Sequence, residues 1–265
     1  MRKYLAISST LFKTQIIYRF DVVMTALELI TRVLFAWILW GAIFTDKETV
    51  GVFTFKTMLL YYVIASFLSS LDISGGVSEE ISDRIRNGTF SKYMIIPINV
   101  QYNFLAQNMG AAAYYAIYSI IVAIGCFAIF QANFLFTINP ILILFAFICI
   151  ILGLIFMTIY HFLIGILSFK FQNSGFFLHI NSAFLEFITG SIVPLTLLSE
   201  PVIEVIRFLP FPHIVYTPTM LLLGKVDIWE GLTSIIVLIG WTVGIIIVNE
   251  IIYSRLRKKY DGVGI

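Results

Sequence analysis

Ser78-Glu-Glu-Ile-Ser-Asp-Arg-Ile-Arg-Asn-Gly-Thr-Phe-Ser-Lys-Tyr-Met-Ile-Ile-Pro97 is a charged, helix-forming island set between long apolar runs. It is too polar to lie in hydrocarbon and too regular in pattern for a slack loop. Ser78 is suited to cap a helix whose first turn carries Glu79 and Glu80, where acidic groups meet the positive end of the dipole. Asn87-Gly88 supplies a left-handed stop, and Pro97 marks the return to apolar sequence. Ile81 and Ile85 sit four apart on one face of this helix, with Glu80, Asp83, Arg84 and Arg86 around them. A chain that builds such a knob between apolar runs is expected to present it to a partner.

Composition on either side of the island sets the class. Of 265 residues, 60% are hydrophobic and only 12% charged, and the mean hydropathy is +0.97, values that mark an integral membrane protein. The net charge of +2 is small and points to no nucleic-acid partner. Arg2, Lys3, Lys13 and Arg19 interrupt the first twenty residues, so no secretory signal is expected there. Runs of about 20 apolar residues, the length that crosses hydrocarbon, number six. They are Val22 to Phe44, Phe55 to Leu71, Val100 to Phe130, Ile138 to Phe169, Phe176 to Leu198, and Leu232 to Tyr253. The third and fourth exceed the need, so tilt or projection is expected. Pro194 is expected to bend or end the fifth.

Lysines and arginines orient these spans. With both termini cytoplasmic, the inner segments hold Arg2, Lys3, Lys13, Arg19, Arg84, Arg86, Lys92, Lys170, Arg255, Arg257, Lys258 and Lys259. The outer segments hold only Lys47, Lys56, Arg207 and Lys225. This asymmetry is the positive-inside pattern and favours a multi-pass cell-membrane protein with both ends inside. Residues 1–20 place Tyr4, Ile7, Leu11 and Tyr18 on one helical face and Leu5, Phe12 and Ile16 on another, which suits an interfacial helix. Residues 199–231 alternate Ile203, Ile206 and Phe208 with Glu200, Glu204 and Arg207 before Pro210, Pro212 and Pro218. Short helices dipping into the outer leaflet are expected. No linker divides the chain, so residues 1–265 read as one domain.

The order is therefore interfacial helix, two spans, charged cytoplasmic helix, three spans, broken outer segment, last span and basic tail. It resembles the permease subunit of type-two ABC exporters. The closest local likeness is Ile81-Ser-Asp-Arg-Ile-Arg-Asn-Gly88-Thr-Phe90 with Tyr93 and Pro97, similar to the acid-to-glycine-to-proline pattern many such permeases carry between their second and third spans. The resemblance implies an all-α membrane protein with six transmembrane helices. It also implies that residues 78–97 form a coupling segment that docks on a cytoplasmic ATPase. Glu79, Glu80, Ile81, Asp83, Arg84, Ile85, Arg86 and Gly88 would then make that contact. ATP and Mg would reside on the ATPase subunit, with no cofactor on this chain. Six spans are about half of an exporter pore, which implies a second permease in a homodimer or related pair. The competing reading of the island is a topology anchor with no specific partner.

The chain offers no nucleotide site of its own. Gly224-Lys225 is followed by Val226 and lacks the upstream glycine of a phosphate-binding loop. Inside the spans, Glu28 and Arg32 lie four apart on one face, and Glu186, without a partner in its own helix, is left to reach Arg32 across the bundle, to be protonated or to touch substrate. Charges at membrane depth face a partner or a cavity, so these three mark either an intramembrane ion pair or a substrate path. Glu250 is expected to pair with Arg255 or Arg257. His161, His179 and His213 lie far apart without acidic neighbours at ligand spacing, so no metal is expected. Gly240 and Gly244 have the spacing of a close helix contact.

The resemblance also implies export, with an amphipathic or hydrophobic substrate expected; drug, antimicrobial peptide, lipid-like molecule and polysaccharide would all leave a similar apolar chain. An ion-coupled secondary transporter is the alternative, although such folds place polar groups on broken helices in symmetric halves and no repeat is visible here. Both termini and residues 78–97 are expected in the cytoplasm. Single cysteines introduced by Ser91→Cys and by Lys47→Cys, in a background lacking Cys126 and Cys149, should label from opposite sides of the membrane; labelling of both from outside would remove the six-span topology.

Overall fold

The computed structural model describes residues 2–17, 19–129, 139–170 and 175–257. The span limits at Phe130 and Ile138, and Lys258 and Lys259 of the basic tail, lie outside the described residues. Eleven α-helices are assigned among the described residues: α1 (Arg2–Gln15), α2 (Arg19–Ile43), α3 (Phe55–Leu71), α4 (Gly75–Arg86), α5 (Ser91–Ile95), α6 (Val100–Ile129), α7 (Pro140–Ile166), α8 (Gly175–Ile188), α9 (Glu200–Ile206), α10 (Tyr216–Leu222) and α11 (Ile228–Leu256).

Helix ends follow local chemistry. Thr54 and Thr57 form a reciprocal capping box at the start of α3. Asn139 accepts the Ile141 N–H at 3.0 Å and Pro140 opens α7, where its missing N–H costs no helical bond. At the end of α4, Gly88 takes φ +71°, and the Phe90 N–H returns to the Arg84 carbonyl at 3.0 Å. The expected left-handed stop is therefore present.

Five helical stretches are long and apolar enough to cross a membrane: Val23–Ile43, Phe55–Arg86, Val100–Gly125, Pro140–Phe169 and Ile228–Leu256. The fifth expected span, Phe176 to Leu198, is not a continuous helix. Helix α8 has only 14 residues, where a span needs about 20. It stops at Gly190, which adopts φ +80°, four residues before the proline that was expected to end it. Polar backbone away from water must find partners inside the protein. Here the Tyr61 hydroxyl donates to the Gly190 carbonyl at 2.6 Å and the Tyr62 hydroxyl to that of Ile192 at 2.5 Å. The Thr189 carbonyl accepts the Tyr216 N–H at 3.0 Å. Helix α3 thus satisfies the irregular stretch that continues α8.

The central element is α7, whose mean hydropathy of 3.1 is the highest of the five. Helices α11, α4, α10 and α6 all pack against it. The main core joins α3, α7, α10 and α11 through Met58, Tyr61, Ala65, Phe156, Met220, Leu221 and Leu238. Residues 199–227 form short helices, as expected, pinned by His213. Its Nε2 meets the Arg207 carbonyl at 3.0 Å and its Nδ1 meets Ser234 Oγ at 2.8 Å. Gly240 and Gly244 face open space, so their spacing serves no helix contact among the described residues. Glu250 forms no ion pair among the described residues; Arg257 instead lies over the Tyr253 ring at 5.6 Å.

The amino-terminal helix is bound to protein along its length. Helix α1 runs beside the first half of α6, with Tyr4 against Tyr102 and Phe12 against Tyr114. Contact is closest at Gly110, where an added Cβ would lie 2.2 Å from the Ser8 carbonyl oxygen. A backbone oxygen cannot swing aside as a side chain can, so only glycine permits this approach. Gly110→Val should therefore detach α1 while leaving the α7–α11 pair intact. Limited proteolysis should cut residues 2–17 at least about tenfold faster; an unchanged rate would show that α1 is held elsewhere.

Candidate functional site

The charged island begins earlier than its sequence indicates. Helix α4 starts at Gly75, and Ser74 stands at the cap with no side-chain bond. Ser78 is therefore not the cap. It is buried in the first turn, donates to the Gly75 carbonyl at 2.8 Å and meets His161 Nδ1 of α7 at 3.1 Å. Glu79 and Glu80 consequently fall in the second turn, while Arg84 and Arg86 occupy the last, where cations suit the negative end of the dipole.

Ile81 and Ile85 point inward. They join Val77, Phe90, Val100, Phe104, Phe162 and Ile166 in a core of their own. At the centre, a Cβ on Gly165 would come within 2.8 Å of the Ile81 Cβ, so α4 crosses α7 at a glycine. Burying two isoleucines contributes about 3–6 kcal/mol, all of it within this chain. The apolar stripe expected to anchor a partner is spent on the protein itself.

What remains outside is charge. Glu79, Asp83, Arg86 and Asn87 are exposed. Arg84 bonds Glu80 at 2.8 Å and Arg86 pairs with Asp83. The Tyr93 hydroxyl reaches Glu80 at 3.3 Å, and the Arg84 guanidinium lies 5.4 Å from the Tyr93 ring centre. Burial, reinforced by the Glu80 carboxylate, raises the pKa of the Tyr93 phenol above its ordinary value, so it remains a donor at neutral pH. The outer face of α4 is thus a fixed pattern of paired charges followed by the exposed Met94, Ile95 and Ile96.

The other end of α4 opens into a cleft of about 270 Å³ between α2, α3, α7 and α8. Asp72, Ile73 and Gly75, at the joint from α3 to α4, line it together with His161. Glu28, Arg32 and Glu186 line it as well. Arg32 resolves the question of the lone Glu186. Its Nη2 donates to Glu28 Oε1 at 2.8 Å and to Glu186 Oε1 at 2.7 Å, and its Nε donates to Glu28 at 3.1 Å. The three residues form one triad joining α2 to α8. The side chains are 61% exposed at Glu28 and 47% at Glu186, so the triad faces an open space rather than the packed interior.

Several lining residues carried little signal in the sequence. Asp72, Ser66, Ser69 and Ser70 share the lower end of α3, where 3- and 4-residue spacings put the serines on one side. His161 gave no clue because its partner, Ser78, is 83 residues away.

These features define a multi-pass helical membrane protein with a polar cleft among its helices, and a charged helix whose first residue lines that cleft. A family model described as ABC-2 family transporter protein matches residues 28–264, and the chain belongs to this family. The match begins at Glu28 of the triad and contains the whole island. Neither the curated proteins nor the solved structures include a match to the chain. ABC-2 membership makes this a membrane subunit, of a kind typically without its own nucleotide site, and implies association with an ABC ATPase.

The triad changes what removal of one charge should do. Glu28→Gln leaves Arg32 paired with Glu186 and should be mild. Arg32→Gln leaves two carboxylates facing one cleft and should lower stability by about 1–3 kcal/mol, less than for a fully buried pair because the groups are partly exposed. Adding Glu186→Gln to Arg32→Gln should recover part of that loss in thermal unfolding; equal and additive losses would mean the side chains act separately.

Proposed function

We propose that this chain is the transmembrane subunit of an ATP-driven ABC exporter, with α4 as the coupling helix. The observation that carries the reading is the seating of α4. One face is locked onto α7 by Ile81 against Gly165 and by Ser78 bonded to His161, while the opposite face offers an ordered set of charges. A push on the outer face is delivered to α7 and to the cleft that α4 and α7 both line. In this reading the α4 end and both termini are cytoplasmic, as the basic asymmetry supports. A separate ATPase binds ATP and Mg, and its closure moves α4. The exposed charges of Glu28 and Glu186 are incompatible with hydrocarbon. That side of the chain therefore faces water or a second permease, a homodimer or related pair supplying the other half of the pore. Lipid surrounds the remaining apolar helices. Movement is outward, and the cargo is amphipathic or hydrophobic.

The docking contact is assigned to Glu79, Asp83 and Arg86, ordered by Glu80, Arg84 and Gly88, with Ile81 and Ile85 holding the helix from beneath. Exchanging the pair by Asp83→Arg with Arg86→Asp preserves an internal ion pair but inverts the pattern a partner meets. This variant, combined with Glu79→Lys, should insert normally and lose ATPase co-purification at least about tenfold. Gly88→Val should act similarly, because φ +71° is strained for a β-branched residue. Normal ATPase binding and stimulation in all of them would reduce α4 to a topology anchor. The charged cleft also favours one second reading, an ion-coupled transporter; transport that follows an imposed ion gradient without any ATPase would select it.

A further inference from the structure

The contents of the cleft distinguish one class of cargo. Glu28, Glu186 and Asp72 supply three carboxylates, and Arg32 is the one lysine or arginine among the described residues that line it. By formal charge, three carboxylates against one guanidinium leave two negative charges in excess. Arg32 engages Oε1 of both glutamates, leaving Oε2 of each without a donor among the described residues. Among the described residues, the Asp72 side chain accepts only the Ser74 N–H, at 3.1 Å through Oδ1. Excess negative charge beside membrane-spanning helices is costly unless a cation or a proton joins it.

A second observation is independent of the carboxylates. Ser66, on α3, lines the same cleft and is 3% exposed, yet its Oγ has no hydrogen-bond partner among the described residues. The Ser69 Oγ nearby also has none among them. Serines in apolar helices ordinarily bond back to a carbonyl one turn earlier, so two that do not are available to a ligand. The wall beside them is aliphatic, formed by Leu29, Met157, Leu185, Ile214 and Val215. Carboxylates and unpaired hydroxyls at one place, with aliphatic surface adjoining, match a positively charged head joined to an apolar body.

We propose that the cleft between α2 and α8 binds the cationic head of an amphipathic molecule through the free carboxylate oxygens of Glu28 and Glu186, with its apolar part along Leu29, Leu185 and Met157. This names the cargo of the exporter proposed above and rests on that reading for its biological meaning, but binding itself requires no ATPase. Arg32 then positions the two glutamates and keeps the empty cleft from carrying all its negative charge unpaired. An anionic amphiphile meets the same carboxylates and is rejected.

The test is equilibrium binding of radiolabelled tetraphenylphosphonium to the purified full chain in detergent, with no ATPase present. Saturable binding is expected, displaced by dodecylamine and not by dodecanoate, which has the same chain length and the opposite charge. Glu186→Gln and Glu28→Gln should each weaken binding about tenfold or more, and Ser66→Ala by roughly two- to fivefold. Where a glutamate variant fails to fold, Ser66→Ala and Asp72→Asn carry the comparison, each checked for an unchanged unfolding midpoint. Absence of saturable binding by the folded chain, equal displacement by dodecanoate, or full affinity in the folded variants would overturn the proposal. Cation binding that persists when the exposed face of α4 binds no ATPase would leave this site standing and remove the exporter reading; the reverse outcome would do the opposite.

Discussion

The contact between Ile81 of α4 and Gly165 of α7 is the constraint on which the rest depends. It brings a polar helix onto the most apolar one and places Ser78 within reach of His161. Because α7 also supports α10, α11 and α6, a helix seated there is mechanically continuous with most of the bundle. Packed interiors shift between discrete arrangements rather than deforming smoothly. A glycine crossing with no side chain to yield is a contact at which displacement of one helix displaces the other.

Much of this was legible in the sequence. Five of six apolar runs became long helices because length and hydropathy alone specify them. Asn87-Gly88 stopped α4 because left-handed φ at low cost requires glycine. The inward turn of Ile81 and Ile85 was not legible. An apolar stripe on a short helix looks the same whether its partner is another protein or a glycine in the same chain. The end of α8 was also misplaced, since Pro194 is the stronger breaker on its own, yet Gly190 is the residue whose carbonyl Tyr61 accommodates. The Glu28–Arg32 spacing declared itself through helix geometry. The third member, Glu186, required a contact across 154 residues that no local pattern encodes.

The irregular stretch after α8 and the triad are linked. Glu186 lies in the last turn of α8, and the Ser191 hydroxyl donates to the Glu186 carbonyl at 2.8 Å. The tyrosines of α3 hold the backbone just beyond it. The carboxylate is therefore fixed from two sides, by Arg32 through its side chain and by α3 through the turn that follows. This arrangement places a charged group precisely where the helix ceases to be regular, using backbone bonds that would be lost if the helix simply continued.

The approach of Ser8 to Gly110 bears on how the protein is made. Helix α1 is synthesised before α6, and its seat there appears only about a hundred residues later. At roughly 5–20 residues per second, the amphipathic segment waits on the order of 5–20 seconds without its partner. During that interval the membrane surface is the natural place for it, and its exposed Leu5, Ile16 and Ile17 equip it to remain there. Closure of α1 onto α6 is then a late step of biogenesis, completed only after the charged helix has emerged between the two.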